Sequence, residues 1–483
     1  MHIILLSGGS GKRLWPLSNE IRSKQFLKVL KNEAGEPESM VQRVFRQLHA
    51  AGIDTHVVVA AGRSQEQSLR IQLGSSADLV LEPDRRDTFP AIALSCTYLA
   101  DVKKVPLDEV VVVLPVDVFA DLEYFTTLLR MEQAVLDNAA DLVLMGIAPD
   151  HPSEKFGYIL PTAERDGVYT VRGFVEKPDA VRAAGLLAEG AYWNGGVFAF
   201  RLGYLMSIVA KQRPDCDFPT LLAQYGTLRK ISFDYEVVEK ATSIAMVPYR
   251  GRWKDLGTWN TLASELGPGC LGKGLIAEPT GDNHIINELD IPIVALGTSD
   301  LVIVASPDGI LVSDREHSTT LKKHVDTFTA PPRYEEFLWG TARVIDSLPV
   351  VSAPGSSSPS AVVSVPGTIS TGTISTEKVT AVDLVSVPGS KSTVTAVDLV
   401  PGTVFSAEFR TRHLSIPAGR ATGALVDAKA GLVWVVVSGT GLLTMDSKEV
   451  PIQSGTTVSI AKGQAHALVA HTDLVVLEVQ LPG

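Results

Sequence analysis

The chain has 483 residues and a formal net charge of −11, too long for one ordinary hydrophobic core and too acidic overall to be drawn to nucleic acid or an anionic membrane. Cys96, Cys216 and Cys270 are odd in number and far apart, which argues against a disulfide framework and against a clustered cysteine metal site. No stretch reads as a signal peptide or a membrane span, so cytoplasmic residence is the expectation.

The first element is a short apolar run at residues 3–6, which reads as a buried strand. It opens onto Gly8, Gly9 and Gly11, followed by Lys12, Arg13, Arg22 and Lys24, with Pro16 stiffening the loop. Glycines let the backbone turn sharply and bring its N–H groups close to an anion. A strand that feeds a glycine turn rimmed by cations describes a polyphosphate seat. Two common phosphate loops fail on spacing. Leu6 stands where a P-loop needs its first glycine and Arg13 where it needs a hydroxyl, while Leu14 replaces the last glycine of the dinucleotide pattern. The stretch LLSGGSGKRLWPLS followed by SKQFLKV instead resembles the signature of the sugar-nucleotide pyrophosphorylases, particularly the bacterial mannose-1-phosphate guanylyltransferases. The resemblance implies that Leu6, Gly8, Gly9, Gly11, Lys12 and Arg13 bind nucleotide.

Helical spacing at residues 40–50 and a β-branched run at 55–61 continue the alternation of strand and helix expected of a helix-covered parallel sheet. A strand at 79–81 ends in Glu82-Pro83, and residues 85–100 begin as a turn and become a helix. In the resembling family this stretch belongs to the nucleotide pocket. Glu82, Pro83, Arg86 and Thr88 match its pattern, while Asp87 replaces the commoner asparagine and lacks an amide's donor. Residues 109–114, EVVVVL, read as a central strand buried on both faces. It runs into Asp117, where a carboxylate beyond a strand's carboxyl end can hold Mg²⁺ against phosphate oxygens. Asp117 matches the family's metal-binding aspartate, and Val118 and Phe119 depart from its pattern.

Farther along, Gly157-Tyr158 follows another strand, and the resemblance places this pair near the sugar. In GFVEKPD, Glu176 is implied to bind sugar hydroxyls and Lys177 the sugar phosphate, a role that suits a point cation. Asn194, in YWNGGVF, offers donor and acceptor for a sugar hydroxyl. Asp234 reads as a helix N-cap. Asp255, in WKDLGTW, is the second metal candidate, expected to lie within a few ångströms of a point shared with Asp117.

Short β runs at 285–312 read as a small unit, β-helix-like in relatives, and the pattern breaks near residue 330. Residues 346–403 are rich in Ser, Thr, Val, Pro and Gly, and VTAVDLVSVPGS at 379–390 returns as VTAVDLVPGT at 394–403. They read as inserted hairpins or a loosely ordered loop. Around them, residues 337–346 and 412–441 resemble the cupin domain of bifunctional phosphomannose isomerases. The implied metal positions hold Leu425, Asp427 and Leu432, and only His466 remains, so no isomerase activity is expected.

The expected architecture is therefore α/β. A Rossmann-like nucleotidyltransferase domain at 1–265 carries a small β unit at 266–330, and a β-rich cupin-like domain follows at 331–483. The resemblance implies a Mg²⁺-dependent enzyme that makes GDP-mannose and pyrophosphate from GTP and mannose 1-phosphate. Arg13, Lys24, Asp117 and Lys177 would be its catalytic residues, and the assembly a homodimer. Another sugar 1-phosphate, such as a manno-heptose, and a catalytically silent nucleotide-sugar sensor remain as alternatives.

Overall fold

Residues 110–114 are apolar at every position because both faces of their strand are covered, and this strand lies near the middle of a nine-stranded sheet. The computed structural model describes residues 1–9, 12–19, 21–53, 56–214, 216–328, 331–351 and 405–482. The sheet runs in the order Asp78–Glu82, Val57–Gly62, His2–Leu6, Val110–Pro115, Tyr192–Arg201, Leu142–Ile147, Ile244–Tyr249, Val168–Val175 and Tyr158–Arg165. The first four strands are mutually parallel, and Tyr192–Arg201 is antiparallel to both of its long neighbours.

Alternation along each strand divides the core in two. Ile3 and Leu5 pack on the side covered by helices Met40–Ala50 and Leu122–Leu136, and Ile4 on the side covered by Thr88–Asp101 and Leu202–Gln212. Ser39 starts the first of these helices with a capping box shared with Gln42. From His2–Leu6 the chain proceeds outward to Val57–Gly62 and Asp78–Glu82, then returns to place Val110–Pro115 on the other side of His2–Leu6. The order of strands thus reverses between two parallel neighbours, and ligands of open α/β sheets gather beyond the carboxyl ends of such a pair.

A third core joins Leu14 and Leu17 of the N-terminal loop to Trp259 and Leu262 and to Ile286, Val302 and Val304. The last three belong to short strands, where Gly269–Leu271, His284–Asn287 and Leu301–Ser306 pair in parallel, as do Gly274–Ala277 and Ile293–Leu296. The coiled parallel pairing is that of a small β-helix-like unit.

By internal contacts the chain divides into Met1–Pro332 and Arg333–Gly483. The second unit consists of a six-stranded and a three-stranded sheet with one apolar core containing Leu414, Trp434, Leu443 and Leu468. The segment from residue 346, read as inserted hairpins or a loosely ordered loop, begins as strand in its described part. Gly340–Val351 is a strand paired antiparallel with Phe405–Ile416, since Ser, Thr and Val are as compatible with a strand as with a loop. Residues 352–404, including the repeat, lie outside the described residues.

Candidate active site

Asp117 follows the strand Val110–Pro115, whose last residue is level with Leu6 of the neighbouring strand, and the Val116 amide donates to the Leu6 carbonyl at 3.2 Å. The chain then forms the short strand Val118–Ala120, paired antiparallel with Trp253–Asp255 in a register that sets Asp255 opposite Val118. This ribbon is why two aspartates far apart in sequence come together. Lys24, on the turn Lys24–Phe26, reaches both, with Nζ 2.6 Å from Asp117 Oδ2 and 3.5 Å from Asp255 Oδ1. Burial alone would raise the Asp117 pKa, but the Lys24 charge and hydrogen bond, with a smaller contribution from Arg13, hold it below the ordinary value. Burial would likewise lower the Lys24 pKa, and the two aspartates hold it above. Lys24 is therefore held as an ammonium against an ionised Asp117, with Asp255 Oδ1 at 3.5 Å.

Asp255 needs space behind it. A Cβ on Gly257 would stand 2.9 Å and 3.0 Å from the two carboxylate oxygens, so the glycine in WKDLG keeps the aspartate in place. Asp117, Asp255, Val118, Phe156, Trp253 and Asn194 line a cavity of about 180 Å³. On its far wall the Asn194 Nδ2 donates to Asp234 Oδ1 at 2.6 Å, its Oδ1 accepts from the Gly196 amide, and its own amide donates to the Gly157 carbonyl at 2.8 Å. Lys177 has a left-handed backbone, φ 47°, and its Nζ donates to Glu176 Oε1 at 2.6 Å. Glu176 Oε2 is buried without a hydrogen-bond partner, and a Cβ on Gly157 would lie 2.4 Å from it. Gly157, Glu176, Lys177, Asn194 and Asp234 thus form one cluster.

Two expectations are corrected here. Asp234 is not an N-cap: Ser232 caps the helix Phe233–Glu236, its hydroxyl accepting from the Tyr235 amide. Asp234 is turned inward, where burial and then the nearby Glu176 charge push its pKa up to about 6. Tyr158 is wholly buried, its hydroxyl held by the Ser153 amide and carbonyl. Its ring is core, and the pair meets the cluster through Gly157.

Around the nucleotide motif the polar atoms are engaged within the protein. Glu82 Oε2 accepts from the Tyr225 hydroxyl at 2.5 Å, Thr88 Oγ1 accepts from the Phe233 amide at 2.8 Å, and Arg86 donates to the Leu228 carbonyl and pairs with Asp84. These side chains fasten residues 225–233 to the start of the helix Thr88–Asp101, which Asp87 caps by accepting from the Thr88 amide. Pro83 is exposed beside them, as are Gly8 and Gly9. Gly11 lies outside the described residues. Of the loop's cations, Arg22 makes a two-pronged pair with Glu288, and Lys12 lies 3.5 Å from Asp326. Arg13 is exposed, with no ion pair among the described residues.

Sequence reasoning overlooked three residues that shape this centre. Gln25 is buried and donates to the Ser7 carbonyl at 2.5 Å, fixing the start of the glycine turn. Asp121 accepts from the Tyr249 hydroxyl and the Arg252 amide, and Glu265 holds Arg252 and Lys254, so both brace the ribbon from behind. Gln25 lies inside a motif already singled out, whereas Asp121 and Glu265 carry no local signal.

Asp117 and Asp255 fit a divalent metal, since both present hard oxygen donors to one cation, Lys24 Nζ. No cluster of three or more His, Cys, Asp and Glu occurs among the described residues, which leaves the remaining ligands of such an ion to water and phosphate.

Parallel strands ending in a glycine turn, with a lysine and two carboxylates at the switch point, define a nucleotidyltransferase centre. Residues 2–266 match the model of the nucleotidyl transferase family, and the chain belongs to that family. It is 31% identical to a mannose-1-phosphate guanylyltransferase of Escherichia coli, over 72% of this chain and 79% of that one. It is 32% identical to mannose-1-phosphate guanylyltransferase RfbM of Salmonella typhimurium, over 71% and 77% of the two chains. With the alginate biosynthesis protein AlgA of Pseudomonas aeruginosa it shares 30% identity over 69% and 73%. Among solved structures, a Thermus thermophilus protein described as a mannose-1-phosphate geranyltransferase superimposes with a TM-score of 0.58 at 28% identity, covering 68% of this chain and 99% of that one. Enzymes of this family generally use a divalent metal, and act on a nucleoside triphosphate and a sugar phosphate. No helix among the described residues is long and apolar enough to cross a membrane.

Proposed function

We propose that the chain makes GDP-mannose and pyrophosphate from GTP and α-D-mannose 1-phosphate. The observation that carries this reading is the meeting of Lys24, Asp117 and Asp255 at a switch point, where the two aspartates line a cavity together with Asn194. The sugar phosphate is already an anion, so an oxygen of it attacks the α-phosphorus of GTP as the bond to pyrophosphate breaks, and no covalent enzyme intermediate is needed. The protein contributes alignment and charge neutralisation. Arg13 and the amides of the glycine turn hold the departing pyrophosphate. Lys24 and Lys177 steady the reacting phosphates, and Glu176, Asn194 and the Gly157 backbone bind the sugar. Asp117 and Asp255 would hold Mg²⁺, which when bound neutralises phosphate oxygens.

Lys12 leaves Asp326 when a triphosphate offers more negative charge, and Lys177 swings from Glu176 to the sugar phosphate. Glu82, Arg86 and Thr88 shape the nucleotide pocket by holding residues 225–233 in place. In the second unit, His466 packs edge-on against Trp434 and its Nδ1 meets the Gln464 carbonyl, while Asp427 Oδ1 accepts from the Lys429 and Ala430 amides. Leu425 and Leu432, whose side chains have no lone pair for a metal, support the expectation of no isomerase activity. A homodimer in the cytoplasm completes the reading, and sedimentation of purified protein tests the dimer.

The deciding experiment measures kcat/KM for pyrophosphate release with four nucleoside triphosphates and a panel of sugar 1-phosphates. GTP with mannose 1-phosphate is expected to be the preferred pair. Preference for another sugar phosphate, or release that needs no sugar phosphate, refutes the proposal.

A further inference from the structure

A second cavity, of about 300 Å³, lies behind the ribbon and shares no lining residue with the catalytic one. Its size is at the lower end of the range for small-molecule sites, about 300 to 1,000 Å³. Leu30, Leu271 and Ile285 supply apolar wall, and Lys31, Arg43 and His284 supply polar groups. Two of these polar groups are left over by the fold. His284 is 3% exposed and neither ring nitrogen meets a partner at hydrogen-bonding geometry, while burial first and the Arg315 charge second hold its pKa below the ordinary value against a smaller opposing effect of the Gly267 backbone. Arg43 Nε is buried without an acceptor, although Nη1 of the same guanidinium donates to Glu38. Buried polar atoms without partners are uncommon, and both of these residues belong to the cavity wall. At the rim, Lys31 is exposed and has no ion pair among the described residues.

The cavity is mechanically joined to the catalytic centre. Val118 lines the catalytic cavity and Phe119 lines this one, because successive residues of a strand face opposite ways. Phe119 is opposite Lys254 in the ribbon, next to the pair formed by Val118 and Asp255. The Arg43 guanidinium lies 4.5 Å from the Phe119 ring centroid, and that of Arg252 5.3 Å. Glu265, in the cavity wall, holds Arg252 and Lys254. An occupant that draws on Arg43 or displaces Phe119 therefore moves the strand pair that carries Asp255 and follows Asp117.

We propose that this cavity is an effector site for a small monophosphate ester, whose phosphate is held by Lys31 and Arg43, whose hydroxyls meet His284, and whose binding changes catalysis through the ribbon. A fork-shaped guanidinium beside a mobile ammonium suits a phosphate, and a neutral imidazole both donates and accepts toward hydroxyls.

The test uses the full chain and titration calorimetry with glucose 6-phosphate, glycerol 3-phosphate and inorganic phosphate. At least one ester is expected to bind more tightly than phosphate, and to bind equally well to the Asp117→Asn variant, so that this result is independent of whether the proposed reaction is the right one. Lys31→Glu, at an exposed position, and His284→Phe are each expected to weaken binding by about tenfold or more. In wild-type enzyme at saturating substrates, the bound ester is expected to change the rate of pyrophosphate release by about fivefold or more, and Lys31→Glu to abolish that change while leaving the basal rate intact. Absence of ester binding, binding that either variant leaves unchanged, loss of binding in Asp117→Asn, or binding without any effect on rate overturns the proposal.

Discussion

Lys24 Nζ satisfies two carboxylates at once, so each member of the trio is worth more in place than its pairwise bond suggests. Asp117→Asn, Asp255→Asn and Lys177→Met are each expected to lower kcat by about two powers of ten or more, as when one preorganised electrostatic contact is lost. The check is pyrophosphate release together with circular dichroism, which shows that the variants are folded. Asp234 offers a test that does not depend on catalysis. Its pKa in the folded protein, about 6, lies above the ordinary carboxyl value because burial and Glu176 disfavour its charge. The stability it contributes is therefore full below the unfolded-state pKa and is lost as pH rises toward 6. Asp234→Asn keeps an acceptor for Asn194 without the charge. Relative to wild type the variant is expected to gain on the order of 2 to 3 kcal/mol between about pH 4 and pH 7, and urea midpoints that stay parallel across that range contradict it. Why sequence misplaced Asp234 is plain from the bond it makes. Ser-Phe-Asp at a helix start offers two residues able to cap, and only the fold reveals that Asn194, forty positions earlier, claims the second.

At the scale of elements, the N-terminal loop is held from outside itself. Trp259 Nε1 donates to the Trp15 carbonyl at 2.9 Å, Ser306 Oγ to the Pro16 carbonyl at 2.7 Å, and Asn19 Nδ2 to Asp308 at 2.7 Å, while Arg22 and Glu288 form their paired bonds. Three of these partners, Glu288, Ser306 and Asp308, belong to the small β-helix-like region. That region is therefore part of what holds the proposed nucleotide loop rather than an accessory to it. Arg22→Met is expected to raise KM for the triphosphate by about tenfold, with a smaller change in kcat, because it loosens a binding loop and leaves the Lys24 centre intact. A fall in kcat with unchanged KM contradicts this role. The elements themselves were legible where one physical pattern ruled. The helix Met40–Ala50 shows its periodicity and the strand Val110–Pro115 its unbroken apolar run. Arg22 was legible as a cation but not in its use, since the glutamate that takes its charge lies 266 positions away. The ribbon was hidden for the same reason. Its strands, Val118–Ala120 and Trp253–Asp255, are three residues each, too short for periodicity to register, and are defined only by their pairing.

For the molecule as a whole, the division at residue 332 separates chemistry from an independently cored β unit. Asp117, Asp255, Lys24, Asn194, Glu176 and Lys177 all precede Pro332, and so do the three cores that support them. The second unit has its own core around Trp434, whose indole donates to the buried Glu478 at 3.0 Å. A chain ending at Pro332 contains all three catalytic-domain cores and none of the core around Trp434, so it is expected to fold cooperatively by itself. Its kcat/KM is expected to remain within about threefold of the full chain, since a loss that small corresponds to less than about 1 kcal/mol of transition-state stabilisation. The measurement is pyrophosphate release by the two proteins side by side, with thermal unfolding of each. A truncated chain that unfolds in one transition yet loses about a hundredfold in kcat/KM means that residues beyond 332 act in the reaction. One that retains activity but changes its sedimentation assigns the second unit to assembly, a role that leaves the charge balance at Lys24 untouched.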